Sequence, residues 1–424
     1  MKKKLFFLIT TFFCSILFPN IPLKIAIKNA IKMDVNYKNQ VLEEKSAQIR
    51  KKNAEMRKLF SINSNLSYIF KSEKMKIEFP GAIMYAGSKN NYDINLSLQQ
   101  PIFSGNILSN LSNMEEINLA IEKNKTLLKK IEIAFKIKSS YFNYVLLQNK
   151  KESLNYLIKD LDLHYRKIKN LYKEELVKKT DLLETERKIE ELYINLEDLN
   201  SMIINEKITF EKLCKIDINE IDKNYNENIK DYGSAFTEFK KSHPILKTID
   251  EKIILLSYKG KIIKGEYLPQ ITGFSEIHYG KPGIDFFRNE WETYFQAGVN
   301  VNLKIFNWNK QKRDLNIIKY SSQKIINEKE DFILEGEKLL KQLYATKASI
   351  ENKINILNKL IKISNEDAEL KKGLYEEQQI SNIDYLESIT KKERYISMKN
   401  EIKTLYELIK LSINKTIGKY MEEL

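Results

Sequence analysis

Leu171-Tyr172-Lys173-Glu174-Glu175, running on through Val177 to Asp181, Leu183 and Glu184, returns as Leu374-Tyr375-Glu376-Glu377-Gln378, running on through Ile380 to Asp384, Leu386 and Glu387. The displacement is 203 residues throughout. The same displacement carries Ile102, Phe103 and Asn106 onto Ile305, Phe306 and Asn309. Two unrelated stretches with one offset mark a duplicated unit rather than chance likeness.

A length of 424 residues by itself predicts two or three domains. The duplication predicts instead two halves of one architecture. With only 13 Gly and 7 Pro, the chain suits long uninterrupted helices better than a loop-rich or all-β fold. The net charge of +14 is spread along the chain without a dense basic block. A nucleic-acid binder concentrates Lys and Arg on one element with aromatic residues between them, so no nucleic-acid partner is expected. Three His and two Cys leave too few ligands for a structural zinc site, and no cofactor is expected.

Met1-Lys2-Lys3-Lys4 followed by the apolar run from Leu5 to Phe18 has the charged start and short apolar core of a secretory signal peptide, placed at 1–20. The run is too short for an ordinary spanning helix, although an uncleaved anchor stays open as the alternative. Cys14 follows Thr11-Phe12-Phe13, residues too large for a lipoprotein signal. Once the leader is removed Cys214 is the one remaining thiol, so no intrachain disulfide can form.

The rest reads as two repeats, 21–216 and 237–424, with 217–236 as a polar linker. Apolar residues at helical spacing predict one helix from Pro22 to Lys58. Strict alternation then predicts strands at about 60–71 and 92–103. Between them lies a loop with Pro80-Gly81 and Gly87. Gln100-Pro101-Ile102-Phe103-Ser104-Gly105 ends the second strand and opens a helix to Tyr172, about 100 Å long. Leu128, Ile131, Phe135, Phe142 and Val145 give it a coiled-coil seam. Another helix runs to Lys215. The second half replays this order: a helix at about 239–264, strands at about 270–279 and 294–306, then helices from Lys310 to Leu374 and from Ser381 to Ile417.

Strands of about ten residues with one apolar and one polar face are long enough to cross a bilayer at a tilt. The alternative is a small sheet packed on helices in a soluble domain. Four strands cannot close a barrel, and open edges cannot sit bare in hydrocarbon. Membrane-spanning strands therefore require oligomerisation, and three copies would supply a barrel of twelve. Tyr68, Phe70, Tyr92, Tyr279, Trp291, Tyr294 and Phe295 lie near strand ends, as an interfacial aromatic girdle would.

These residues resemble the TolC family of outer-membrane efflux proteins over about Leu23 to Tyr420. The carriers are Gln100-Pro101-Ile102-Phe103-Ser104-Gly105, His243-Pro244, Tyr267-Leu268-Pro269-Gln270 and Ile380-Ser381-Asn382-Ile383-Asp384-Tyr385-Leu386-Glu387. The resemblance implies a mainly α fold with β strands, a helix-strand-strand-helix-helix unit used twice. It implies a homotrimer whose 12-stranded outer-membrane β-barrel continues into a periplasmic α-helical barrel. The implied partners are outer-membrane lipid, a periplasmic adaptor and an inner-membrane pump of RND or ABC type. The implied function is export of small molecules or polypeptides in a tripartite efflux or type I secretion complex, without enzymatic chemistry.

The resemblance also assigns a periplasmic gate. Asp384 and Glu387 match the family's two acidic rings, and a spacing of three puts both on one helix face. Rings of carboxylates favour cations, and their mutual repulsion should raise some of their pKa values. Tyr375 and Asp181 match a Tyr and an Asp that lock the closed tip, whereas the family's Arg position holds Ile380. The family's turn glycine is replaced by Glu175 in one half and Gln378 in the other, so each should take a negative φ or accept a strained one. The competing reading is a periplasmic coiled-coil adaptor or structural envelope protein without a pore, which would have the long helices and lack paired amphipathic strands. His164, His243 and His278 are too scattered in sequence to mark an active site, and the chain has no phosphate loop or nucleophile elbow.

Overall fold

The computed structural model describes residues 21–221 and 227–419. The signal peptide read at 1–20 lies outside them. Eight α-helices and six strands follow in the order α1 (Leu23–Met33), α2 (Val35–Met56), β1 (Ser61–Phe70), β2 (Met75–Phe79), β3 (Ala82–Ala86), β4 (Asn90–Ser104), α3 (Ile107–Lys173), α4 (Lys179–Cys214), α5 (Tyr232–Ser242), α6 (Pro244–Gly265), β5 (Gln270–Lys281), β6 (Glu292–Asn302), α7 (Lys310–Glu376) and α8 (Asn382–Thr416). The duplication is plain in the helices. Both α3 and α7 are 67 residues long, and their starts differ by the sequence offset.

Two predicted helices are each broken in two. The first divides at Asp34, whose backbone is extended and whose Oδ1 accepts the Tyr37 N–H at 2.7 Å. An acidic residue that caps a following turn competes with the helix it interrupts. The second divides at His243, where Pro244 starts a new helix and the His243 side chain accepts the Ile245 N–H. The loop between the first two long strands contains the hairpin β2–β3, which turns at Pro80 and Gly81, with Gly81 at φ 92°. In the second repeat, the strand read through residue 306 ends at Asn302.

The chain forms two compact units, each drawing on both repeats. One comprises residues 39–128 and 241–335 and holds the main sheet, of order β1-β4-β5-β6 and antiparallel throughout. Asn65, Asn95, His278 and Tyr294 form one row across it, and Leu66, Ile94, Tyr279 and Thr293 the next. The ladder slips once, at Ile102, between Pro101 and Phe103. Among the described residues, β1 and β6 have no strand on their outer edges.

The other unit comprises residues up to 38, 129–240 and 336 onward. Its larger apolar core joins Leu23, Ile27 and Ile31 of α1 to Ile133, Ile137 and Tyr141 of α3, and to Phe210 and Cys214 of α4. Ile218 and Ile221, at the start of the segment read as a linker, are buried in it. There, too, Lys138 meets both oxygens of the buried Glu227 at 3.0 Å. A second core joins Leu157 and Leu161 to Ile189, Leu192, Leu386 and Ile389.

Gly105 is the glycine that the turn requires. Its φ is 60°, and a Cβ there would run into the Gly265 backbone carbonyl. Gly87, at φ 79°, faces open space. Gly87→Ala should therefore cost only the left-handed strain of about 1–2 kcal/mol. Gly105→Ala adds a backbone collision and should cost clearly more, read as a larger drop in midpoint in parallel thermal melts followed by circular dichroism.

Candidate functional site

Two surfaces carry the functional reading, one in each compact unit. In the unit that holds the sheet, the register sorts side chains by polarity. Ile62, Leu66, Ile94, Leu96, Ile277, Phe295, Val299 and Val301 share one face, while Asn63, Asn65, Asp93, Asn95, Glu276, His278 and Gln296 share the other. The apolar face is bare: Leu66 is 75% exposed and Phe295 64%. An apolar patch of this extent on a water-soluble protein marks a binding or membrane surface.

The polar face is hydrogen-bonded across strands. His278 Nδ1 lies 2.9 Å from Asp93 Oδ1, and the Gln296 amide donates to Glu276 Oε2 at 2.6 Å. Four of the aromatic residues read as a girdle gather at one end of the apolar face, whereas Tyr294 lies on the polar face, stacked on His278 at 4.7 Å. Tyr68 and Tyr92 rings are 5.0 Å apart, Tyr92 and Trp291 5.8 Å, and Trp291 and Tyr279 4.9 Å. They form a continuous band across strands that are far apart in sequence. Rings with an apolar body and a polar edge favour the boundary between lipid and water.

The helical unit holds the two duplicated turns, α3–α4 and α7–α8. Glu175 and Gln378 take φ values of 58° and 60°, so both non-glycine residues accept the left-handed conformation. Each turn is closed by paired backbone bonds: the Leu176 N–H donates to Leu171 and that of Glu175 to Tyr172, repeated by Gln379 to Leu374 and Gln378 to Tyr375. These bonds close each helix end at the cost of left-handed strain, here met without glycine.

Asp384 caps α8. Its carboxylate accepts from the Ser381 N–H at 3.2 Å and from the Ser381 hydroxyl, while its own N–H donates to Ser381 Oγ. These bonds, the Ser381 hydroxyl first, hold its carboxyl below the usual range in the single chain. Repulsion between copies would have to act against them. Glu387 projects one turn on, exposed, with the Lys391 ammonium at 3.5 Å. Asp181, the counterpart of Asp384, accepts from the Lys178 N–H at 3.2 Å, but Lys178 has no side-chain acceptor with which to complete the box.

A buried cluster lies beside these turns. Asn382 spends its amide hydrogens on the Asp181 carbonyl at 3.2 Å and on Thr185 Oγ1 at 3.1 Å. Its oxygen is then the acceptor toward His164 Nε2 at 2.6 Å, which puts the imidazole proton on Nε2. His164 is 5% exposed, Asn382 3% and Thr185 0%. Burial lowers the His164 pKa, the Asn382 bond opposes this, and the Lys167 charge reinforces it. Tyr375 and Tyr385 stack at 5.5 Å and present their faces or edges to the imidazole at 5.1 and 4.7 Å.

Tyr375 belongs to this cluster. Its hydroxyl is buried with no hydrogen-bond partner among the described residues, and burial, then the Asp181 charge, raises its pKa. Beside it opens a cavity of about 550 Å³ reached by Asp160, Lys167, Glu376 and Lys392. Asp181 and Tyr375 lie in one neighbourhood. His164, Asn382 and Thr185 join them without having been singled out. In the described helices none is long and apolar enough to cross a membrane.

No protein-family model and no curated relative matches the sequence. Solved structures do. The outer membrane protein VceC of Vibrio cholerae aligns with a TM-score of 0.77 and 12% identity over 94% of this chain and 97% of its own. CusC, for which transmembrane channel formation is described, aligns with a TM-score of 0.77 and 12% identity over 95% and 93%. The CmeC outer membrane channel of Campylobacter jejuni aligns with a TM-score of 0.73 and 15% identity over 93% and 85%. The mainly α fold with β strands that the TolC-family resemblance implies is the fold these matches show over 93–95% of the chain.

Proposed function

We propose that the chain is one protomer of an outer-membrane channel-tunnel. Three copies form a 12-stranded barrel in the outer membrane that continues as an α-helical conduit in the periplasm. The observation that carries this is the exposed apolar face of the sheet, banded at one end by Tyr68, Tyr92, Trp291 and Tyr279 and backed by a polar face. Lipid satisfies the first face and a water-filled lumen the second. A poreless coiled-coil adaptor would have no use for such strands.

The conduit moves small molecules or polypeptides without chemistry, handed on by a periplasmic adaptor and an inner-membrane pump of RND or ABC type in a tripartite efflux or type I secretion complex. The turns at 171–181 and 374–384 form the periplasmic tip. Asp384 and Glu387 of each copy line its aperture, and Asp181 and Tyr375 contribute tip contacts. The cluster of His164, Asn382 and Thr185 ties the two turns of one copy together, since Asn382 begins α8 while its partners lie on α3 and α4.

In planar bilayers the purified protein should give small, cation-selective conductances. Replacing Asp384 and Glu387 together by Ala should lower the cation-over-anion permeability ratio several-fold. An unchanged ratio in a conducting variant removes these residues from the aperture. Well-folded, membrane-extracted protein that never conducts removes the channel.

The tip should also respond to pH. An unfolded imidazole titrates near ~6.5, and His164 titrates lower when folded. Its contribution to stability is therefore complete above that value and is lost as the pH falls below it. Amide protection in 171–185 and 374–389, corrected for intrinsic exchange, should drop between pH 7.5 and pH 5. In His164→Gln, which retains an amide donor toward Asn382, the drop should largely vanish. An equal drop in both proteins would remove His164 as the source of the response.

A further inference from the structure

Resting on that channel reading, we propose that β6 of one copy pairs with β1 of the next in one specific register, the register that the internal duplication transfers from the β4–β5 pairing inside the chain. In the first repeat Ser61 stands opposite Gln99, and in the second Gln270 stands opposite Asn302. The two hairpins therefore match when β4 is displaced by 203 residues onto β6 and β1 by 209 onto β5. The six extra residues fall in the first hairpin loop, which holds β2 and β3.

The sheet then contains one kind of edge twice. The contact that β4 makes with β5 is the contact that β6 lacks and that β1, the counterpart of β5, can supply. Each copy has one such β6 edge and one β1 edge, so the contact is head-to-tail and closes into a ring. Leu98 opposite Ser275 becomes Val301 opposite Leu66 of the next copy, and Gln99 opposite Phe274 becomes Asn302 opposite Asn65. Pro101 opposite Thr272 becomes Lys304 opposite Asn63, and Phe103 opposite Ile271 becomes Phe306 opposite Ile62.

Three independent observations agree with this transfer. First, every transferred row keeps its face: Val301 meets Leu66 on the apolar side and Asn302 meets Asn65 on the polar side, whereas a slip of one residue would invert them all. Second, the slip at Ile102 maps onto Ile305, and the segment 303–307, strand in its first-repeat counterpart, is unpaired here and carries the exposed Ile305 and Phe306. That segment is short of its partner strand. Third, the helical unit answers to the same displacement. The Lys150–Glu401 ion pair between α3 and α8, at 3.4 Å, becomes Lys353 of α7 against Asp198 of α4 in the next copy. The His164–Asn382 bond becomes Asp367 against Lys179. Both are opposite charges. Lys167–Glu376 becomes Leu370 against Lys173 and makes no pair, so ionic matching is confined to the first two sites.

The test is oxidative cross-linking of the full-length protein in outer membranes. Each double variant carries one cysteine on β1 and one on β6, at opposite edges of its own sheet, so only a second copy can join them. Cys214 is buried and serves as the background. Val301→Cys with Leu66→Cys, and Asn302→Cys with Asn65→Cys, occupy adjacent rows, of which one is the non-hydrogen-bonded kind with Cα atoms about 4.5 Å apart. At least one should give a covalent ladder ending at the closed ring, at least ~10-fold more efficiently than the control Val301→Cys with Tyr68→Cys, displaced by two residues.

Preferential cross-linking of the control overturns the register and leaves the channel reading standing. An oligomer that no β1–β6 pair cross-links overturns the edge pairing alone. Wild-type protein that is monomeric in mild detergent overturns both. The helical half is read separately: Asp198→Lys should weaken the detergent-stable oligomer, and adding Lys353→Asp should restore it. A double variant as weak as the single one overturns the transferred ion pair.

Discussion

The constraint on which everything else depends is the open sheet. Among the described residues, four antiparallel strands leave two rows of backbone N–H and C=O groups unpaired at β1 and β6, on a sheet whose apolar face is already bare. In water such an edge invites uncontrolled association. In hydrocarbon each unsatisfied group costs several kcal/mol. Neither solvent suits the sheet as one chain builds it, which is the physical ground for proposing a ring of copies. In the proposed ring the bare apolar face would meet lipid and the polar face water.

The helices depend on the same duplication in a different way. Two helices of equal length, α3 and α7, end in turns with the same pair of closing backbone bonds and the same left-handed residue. The turn is therefore fixed by backbone geometry rather than by side chains, which is why Glu175 and Gln378 can stand where glycine is cheaper. What differs between the turns is the chemistry around them. Ser381 completes a reciprocal cap with Asp384, whereas Lys178 cannot do so with Asp181. His164 is buried against Asn382, whereas the equivalent positions carry Asp367 and Lys179.

Much of this was legible in the sequence because period and duplication are both one-dimensional signals. The four long strands and the helices α3, α4, α7 and α8 lie within a few residues of where alternation and helical spacing placed them. The misreadings have local causes. Asp34 reads as one more polar residue on a helix face until its carboxylate is seen to cap Tyr37. Pro244 reads as part of a His-Pro motif rather than as a break. The β2–β3 hairpin is too short for alternation to stand out from loop composition. Residues 303–307 alternate like a strand, yet strand geometry needs a neighbour that the single chain does not provide. The cluster beside the two turns was half visible. Asp181 and Tyr375 came from a motif, but His164 lies 218 residues from Asn382, and a lone histidine at helical spacing looks like any other core residue.

Divergence between the repeats shows where symmetry is useful and where it is not. A chain with two identical halves would place equivalent contacts at every junction of a ring, and every junction would open or close alike. Here the junction within a copy is neutral and buried, made by an imidazole, an amide and a hydroxyl. The positions equivalent to it carry an acid and a base. Neutral buried hydrogen bonds resist salt, whereas exposed ion pairs are screened by it. In the proposed ring the two kinds would alternate, giving salt-resistant and salt-sensitive seams in turn. A conduit proposed to open at its tip without coming apart would use both, and one duplicated chain can supply them by changing a few side chains on a backbone that stays the same.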